Sequence, residues 1–248
     1  MKYAGIPFYR TQVKSSLKSF RVVYKQTDLL VLADNELVKE TLSLVIEIRK
    51  PLEMYILKNP LFLKSLEPLP DDGEAPEIVR KMLYAGRIAG VGPMASVAGA
   101  IAEAVGKALL EKNLTQEIVV ENGGDIFLNL KKEARVLIFA GDSYFSGKLA
   151  LIIPKEVQPC GVCTSSGKIG HSLSFGKADA ITVVHKDTAV ADALATKFGN
   201  MLREGKDFKK IISLAERIDN IYGIFAVVKD KFFTYTKKIF IEPVYSSY

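Results

Sequence analysis

The sequence predicts an α+β fold in which antiparallel sheets carry their helices packed on one face. Three observations lead there. Short β-rich runs come in pairs across turn residues, as in Phe20–Tyr24 with Asp28–Leu32 and Glu117–Glu121 with Ile126–Leu130. Longer stretches with apolar residues at helical spacing lie between those pairs. The order strand, strand, helices, strands then runs once in the first half of the chain and recurs in the second, which favours helices stacked on antiparallel strands over alternating βαβ units. With 248 residues, 48% of them hydrophobic, the chain can bury a large core. It reads as a single domain of two intimately packed halves, about 1–130 and 131–248.

Taken in order, Lys25-Gln26-Thr27 turns the first pair of strands into a hairpin. The helix that follows has Asp34 or Asn35 as its expected cap, an apolar face of Leu37, Val38, Leu42, Val45 and Ile46, and Pro51 as the place where it must kink or restart. Leu66 to Gly73, with Pro68, Pro70 and an acidic pair, is a linker. Pro76 suits the first turn of a helix over Glu77–Ala89, and Pro93 opens another that carries Ala98, Ile101, Ala102, Val105 and Leu109. Along it, Gly92, Gly99 and Gly106 recur on a face where a backbone or a ligand can approach closely; Gly106 is expected to serve helix-to-sheet packing. Strands over 135–140, 148–153 and 180–184 come next, then helices over Thr188–Arg203, capped by Asp187, and Phe208–Arg217. Tyr222–Val228 and Phe232–Tyr235 are the last strands.

Composition excludes several classes. The net charge of +6 comes from lysines spread along the chain without an arginine and aromatic patch, so nucleic acid is not an expected partner and small anions such as phosphates are. Met1–Pro7 lacks a signal-peptide core, and no stretch is expected to reach the roughly 18 apolar residues of a membrane span. The expectation is a cytoplasmic protein with no membrane contact. Its two cysteines, Cys160 and Cys163, are then thiols, and two ligands do not close a zinc site.

Chemistry-bearing residues concentrate between Gly161 and Thr196. Asp192 and Thr196, one helical turn apart, offer oxygen ligands on one face, which suits Mg²⁺ or Ca²⁺; the same residues also fit the polar stripe of an ordinary amphipathic helix. Thr164-Ser165-Ser166-Gly167 can cradle a phosphate through amides and hydroxyls, or simply join two strands, and it is not a Walker loop. His171 follows it, where an imidazole can move a proton. His185, closing an apolar strand, is read as structural. Asn122-Gly123-Gly124-Asp125 is a hairpin turn by its residue types, and its two glycines also leave bare amides for a phosphate or ring.

In their order along the chain, Asn122-Gly123-Gly124-Asp125, Thr164-Ser165-Ser166-Gly167, His171, Thr182-Val183-Val184 and Ala191-Asp192-Ala193-Leu194-Ala195-Thr196 resemble the motifs of the ApbE family, the FAD:protein FMN transferases. Over nearly its whole length the chain is similar to an ApbE-like branch of that superfamily, through Val91–Ala95 and Gly170–Gly176 among others. The resemblance implies a duplicated fold of the T-fold kind, FAD as ligand or substrate, and a divalent cation held by Asp192 and Thr196. It implies that Asn122, Gly123, Gly124, Asp125, Thr164, Ser165, Ser166 and Gly167 line the flavin nucleotide site and that His171 assists proton transfer. It further implies an acceptor protein as a second partner; homo-oligomerisation stays open. The chain departs from the family where an acidic residue becomes Gly92, a lysine becomes Ala98, and an Asp-Pro pair after His171 is absent. Two readings therefore stand: a metal-dependent enzyme that transfers FMN or cleaves the FAD diphosphate, and a non-catalytic flavin or nucleotide binder.

Overall fold

The computed structural model describes residues 10, 15–166, 179–203 and 205–244. Strands β1 (Lys18–Tyr24) and β2 (Thr27–Ala33) form the first hairpin, closed by the pair Tyr24 and Thr27 with Lys25 at φ 53°. Helices α1 (Val38–Lys58), α2 (Pro60–Lys64), α3 (Glu77–Ala89) and α4 (Val97–Glu111) follow, the last preceded by a 3₁₀ turn over Pro93–Ser96. Strands β3 (Ile118–Asn122) and β4 (Asp125–Asn129) complete the first ββ–helices–ββ series. After a hairpin of β5 (Ala134–Leu137) and β6 (Leu149–Ile153), the series recurs as β7 (Cys160–Ser165), β8 (Ala180–His185), α5 (Thr188–Met201), α6 (Phe208–Ala215), β9 (Ile221–Val228) and β10 (Lys231–Thr236). Strand β11 (Phe240–Pro243) ends the described chain.

The two series share one eight-stranded antiparallel sheet, ordered β1-β2-β3-β4-β7-β8-β9-β10, with β4 and β7 paired at its centre. Because side chains alternate along a strand, each strand feeds two cores. Leu29, Val31, Val120, Phe127, Ile181, Val183 and Ile224 point to the face that carries the helices. Leu128, Cys160, Val162, Val184, Phe225 and Val227 point to the other face, which β11, β6 and β5 cover as a small sheet through Leu151, Ile153 and Ile239. This is why β7, β8 and β9 are apolar almost throughout instead of alternating with polar residues: both faces are dry.

Several elements differ from expectation. Helix α1 runs through Pro51 without a break; the lost hydrogen bond is offset by burying Leu44, Val45 and Leu52, each worth about 1.5–3 kcal/mol. Its N-cap is Leu37 without a side-chain bond, and Asp34 instead accepts from the Gln116 amide at 2.7 Å and the Thr115 hydroxyl at 3.0 Å, steadying the entry to β3. Asp187 does cap α5, accepting from the Val190 amide at 3.1 Å. Pro93–Glu111, at 19 residues, is long and apolar enough to cross a membrane, against the expectation that no stretch is. Its composition has another cause: Ala100, Ile101, Ala102, Val105 and Leu109 are buried between α5 and the sheet.

The glycines of this region are packing devices. A Cβ on Gly106 would stand 2.3 Å from the Phe127 ring, one on Gly92 1.8 Å from the Ser65 carbonyl, and one on Gly99 2.6 Å from the Thr188 carbonyl. The absent side chains let the linker lie on Gly92 and let α4 cross α5 at contact distance.

Candidate functional site

At the centre of the sheet, the β3–β4 turn meets the first turn of α4 and the middle of α5. Gly123 and Gly124 have φ of 67° and 103°, the positive values that a two-residue hairpin loop requires. The turn pairs Asn122 with Asp125, and β4 in turn sets Asp125 opposite Cys163 of β7. Asn122, Asp125 and Cys163 all lie on the helix-bearing face. The Asn122 amide donates to the Ala98 carbonyl at 3.1 Å, and Asp192 of α5 accepts the Gly99 amide at 2.9 Å.

Two buried carboxylates thus lie near each other under the helices: Asp125 and Asp192 are each 8% exposed. Burial pushes the Asp192 carboxyl up to about 7, against the pull of the Gly99 and Ala98 amides at the start of α4. Burial also raises Asp125 well above the usual carboxylate range, and the neighbouring negative charge of Asp192 raises it further. Among the described residues neither carboxylate has an ion-pair partner. Cys163, its sulfur 3.4 Å from the Thr188 carbonyl, is raised well above the usual thiol value by burial and by Asp125. It is a protonated wall, not a nucleophile.

A second charged group fixes the frame. Glu103 of α4, 2% exposed at its side chain, accepts from Lys81 at 2.8 Å, Lys107 at 2.6 Å and the Thr188 amide at 2.7 Å. Burial pushes its carboxyl up, yet the Lys81 and Lys107 ammonium groups outweigh that and hold it below the usual value. Lys81 also reaches Asp187 at 3.1 Å, so α3, α4 and the start of α5 are tied through one cluster, a turn before Asp192. Sequence spacing offers only its i,i+4 pair with Lys107; its other partners, Lys81 and Thr188, are far along the chain.

The expected site residues are only partly brought together. Asn122, Asp125 and Asp192 converge; Thr196 lies one turn further along α5, half-buried. Thr164 and Ser165 are not loop residues but the end of β7, and alternation sends them to opposite faces. The Thr164 hydroxyl pairs with that of Thr182 at 2.8 Å on the face away from the helices. Ser165 faces Gly199 of α5, and the Ser166 hydroxyl donates to the Asp179 carbonyl at 2.7 Å. Gly167 and His171 lie outside the described residues. Cys160 and Cys163, three apart on a strand, also point to opposite faces, so they neither pair nor share a ligand; both are buried thiols. His185 is held at both ring nitrogens, accepting from the Asp187 amide at 2.8 Å and donating to the Asp219 carbonyl at 2.9 Å.

The donor chemistry fits a hard cation. Mg²⁺ is commonly held by one or two carboxylates, with phosphate oxygens and water completing its shell. Asp125, Asp192 and Thr196 supply oxygens of that kind. Among the described residues no group of three or more His, Cys, Asp and Glu side chains is arranged to hold a metal by itself.

A family profile described as AbpE bacteria matches residues 10–216 of the chain. The chain is 47% identical over 218 residues to a UPF0280 protein of Methanocaldococcus jannaschii, covering 85% of this chain and 87% of that protein. It is 42% identical over 219 residues to a UPF0280 protein of Methanococcus vannielii, covering 86% and 88%. Among solved structures, the flavinyl transferase ApbE of Pseudomonas stutzeri in its apo form superposes with a TM-score of 0.60 at 18% identity, over 89% of this chain and 94% of that one. At that identity the likeness is one of fold.

Proposed function

From the chain's membership of the AbpE bacteria family, an ApbE-like branch, we propose that it is a flavin-nucleotide protein that works with a divalent cation in the cytoplasm. The site is the pocket between the β3–β4 turn, the start of α4 and the middle of α5. One observation carries this reading: Asp125 and Asp192 are buried side by side without a counter-ion among the described residues, and burial raises both. Two such carboxylates repel each other and resist ionisation, a cost that a bound cation removes.

In this reading Asp192 and Thr196 hold Mg²⁺ or Ca²⁺, with Asp125 beside them. When bound, the cation neutralises charge on a diphosphate. Asn122, anchored on the Ala98 carbonyl, fixes the turn proposed to receive the nucleotide, where Gly123 faces open space while the Gly124 amide is held by the Glu121 carboxylate at 2.7 Å. Cys163 and the apolar walls of α4 and α5 keep water from the carboxylates. The reaction breaks the phosphoanhydride bond of FAD: AMP leaves, and the FMN phosphorus bonds either to a threonine oxygen of an acceptor protein or to water, the hydroxyl proton passing to a base. His171 is the proposed base, and Thr164, Ser165, Ser166 and Gly167 are proposed to line the nucleotide.

The second reading, a flavin binder that does no chemistry, is favoured by Gly92 and Ala98. Gly92 packs on the Ser65 carbonyl and the Ala98 carbonyl accepts from the Asn122 side-chain amide, at positions where the transferases resembled here carry charge. Metal-stripped protein titrated with FAD, with and without Mg²⁺, and chromatographed for AMP and FMN separates the readings. Mg²⁺-dependent binding with AMP release supports the enzyme, binding without products supports the carrier, and no FAD binding in either condition sinks both.

A further inference from the structure

Away from that pocket, the chain leaves a run of large apolar side chains in water. Met54, Leu57, Leu61, Leu63 and Leu66 are 51%, 80%, 63%, 50% and 68% exposed. Helix α2 is anchored by Phe62, 1% exposed and edge-on to Tyr55 at 5.3 Å, and this anchoring turns Leu61 and Leu63 outward. Beside them opens a cavity of about 310 Å³, walled by Pro51, Met54, Tyr55 and Ala75, with Lys58 and Glu74 also lining it. Contiguous exposed apolar surface next to a cavity marks a contact site.

We infer that this face binds a second copy of the chain across a two-fold axis. Knob and hole lie on adjoining faces of one helix: Leu57, 80% exposed, is one turn from Met54, and Met54 and Lys58 line the cavity. A two-fold contact brings each copy's Leu57 to the other's cavity, as a self-complementary patch requires. Charge agrees. Residues 54–66 carry Lys58 and Lys64 and no acid, whereas residues 67–77 carry Glu67, Asp71, Asp72, Glu74 and Glu77 and no base. A two-fold axis that runs between the two stretches sets each copy's basic stretch against the other's acidic one. An anionic lipid surface, or a partner of one charge sign, would meet half of this face with repulsion.

Sedimentation velocity of the full chain from low to high micromolar concentration tests the inference. The expected result is a species of twice the 27.3 kDa chain mass that Leu57→Glu converts to monomer, with the circular dichroism spectrum unchanged. Lys58→Glu should weaken association about tenfold, and adding Glu74→Lys should restore it. A wild-type monomer at every concentration overturns the inference, as does a dimer that survives Leu57→Glu with the fold intact. Failure of the charge swap to restore association removes the two-fold pairing, and monomeric protein that pelts with phosphatidylserine vesicles replaces the second copy with a lipid surface.

Discussion

The Asp192 carboxylate accepts the Gly99 amide at 2.9 Å, so one side chain from the middle of α5 serves the first turn of α4. It satisfies an amide that a helix start otherwise leaves unpaired, while its charge faces Asp125. Asp192 is therefore a structural cap and a candidate cation ligand at once, and two substitutions separate these roles.

Asp192→Asn keeps an oxygen for the Gly99 amide and removes the charge. Its melting temperature should stay close to wild type while Mg²⁺-dependent FAD binding and AMP release are lost. Asp192→Ala removes the acceptor as well and should lose about 1–3 kcal/mol of stability, measured by urea denaturation. Equal stability of the two variants would rule out the capping role, and full activity in Asp192→Asn would rule out the ligand role.

Mg²⁺ should raise the melting temperature of the wild-type protein, because an ion that binds only the folded state stabilises it by mass action. Asp125→Asn relieves the repulsion between the two carboxylates. It should raise metal-free stability and shrink the Mg²⁺-dependent shift, both readable in one pair of thermal scans.

Gly99→Ala places a methyl group 2.6 Å from the Thr188 carbonyl and 2.9 Å from the Asp192 Cβ. Neither neighbour is a free side-chain end. Overpacking of this kind costs about 1–3 kcal/mol, and the movement of α5 should reduce FAD affinity in the same variant.

Glu103→Gln leaves Lys81 beside a neutral amide and weakens the bond to the Thr188 amide. Breaking a buried ion pair costs on the order of 3 kcal/mol. Denaturation should show part of that loss at pH 7, because Lys81 keeps its ion pair with Asp187 at 3.1 Å.

His185 sets a pH limit. Burial lowers its pKa below the usual 6.5, outweighing the hydrogen bonds to the Asp219 and Asp187 backbone, which raise it; Nδ1 accepts the Asp187 amide and Nε2 donates to the Asp219 carbonyl, the pairing of a neutral ring. The unfolded chain then binds the proton more readily than the folded one. Stability from this residue is complete above about pH 6.5 and falls as pH drops through that value toward the folded pKa, by up to about 1.4 kcal/mol per pH unit. His185→Gln should flatten the stability curve between pH 5 and 7, roughly the range where an unperturbed histidine titrates.

Much of the fold was legible because its signals are local. Helix α3 is met at both expected ends, Asp187 caps α5, and Asn122–Asp125 is the hairpin turn that its residue types require. Strand β11 and helix α2 went unread: β11 is four residues long and mostly exposed, and α2 is a five-residue helix that opens on Pro60, both too short for periodicity to register. The reading of Thr164–Ser166 as a loop failed because hydroxyl residues signal turns on average, yet two of them extend a strand whose neighbours on both sides supply its pairing.

The sequence by itself determined the α+β class, the recurrence of ββ–helices–ββ, and the residue types from which a site could be drawn. These depend on spacing along the chain, where alternation and helical period act between near neighbours. Only the tertiary structure decided which candidates meet. It brought Asn122, Asp125 and Asp192 together under the helices, sent Thr164 to the far side of the sheet, and enlisted Gly99 and Glu103, whose partners Asp192 and Thr188 are 93 and 85 residues away. Burial and charge proximity set the chemistry of those groups, and both are properties of the packed chain that no local pattern carries.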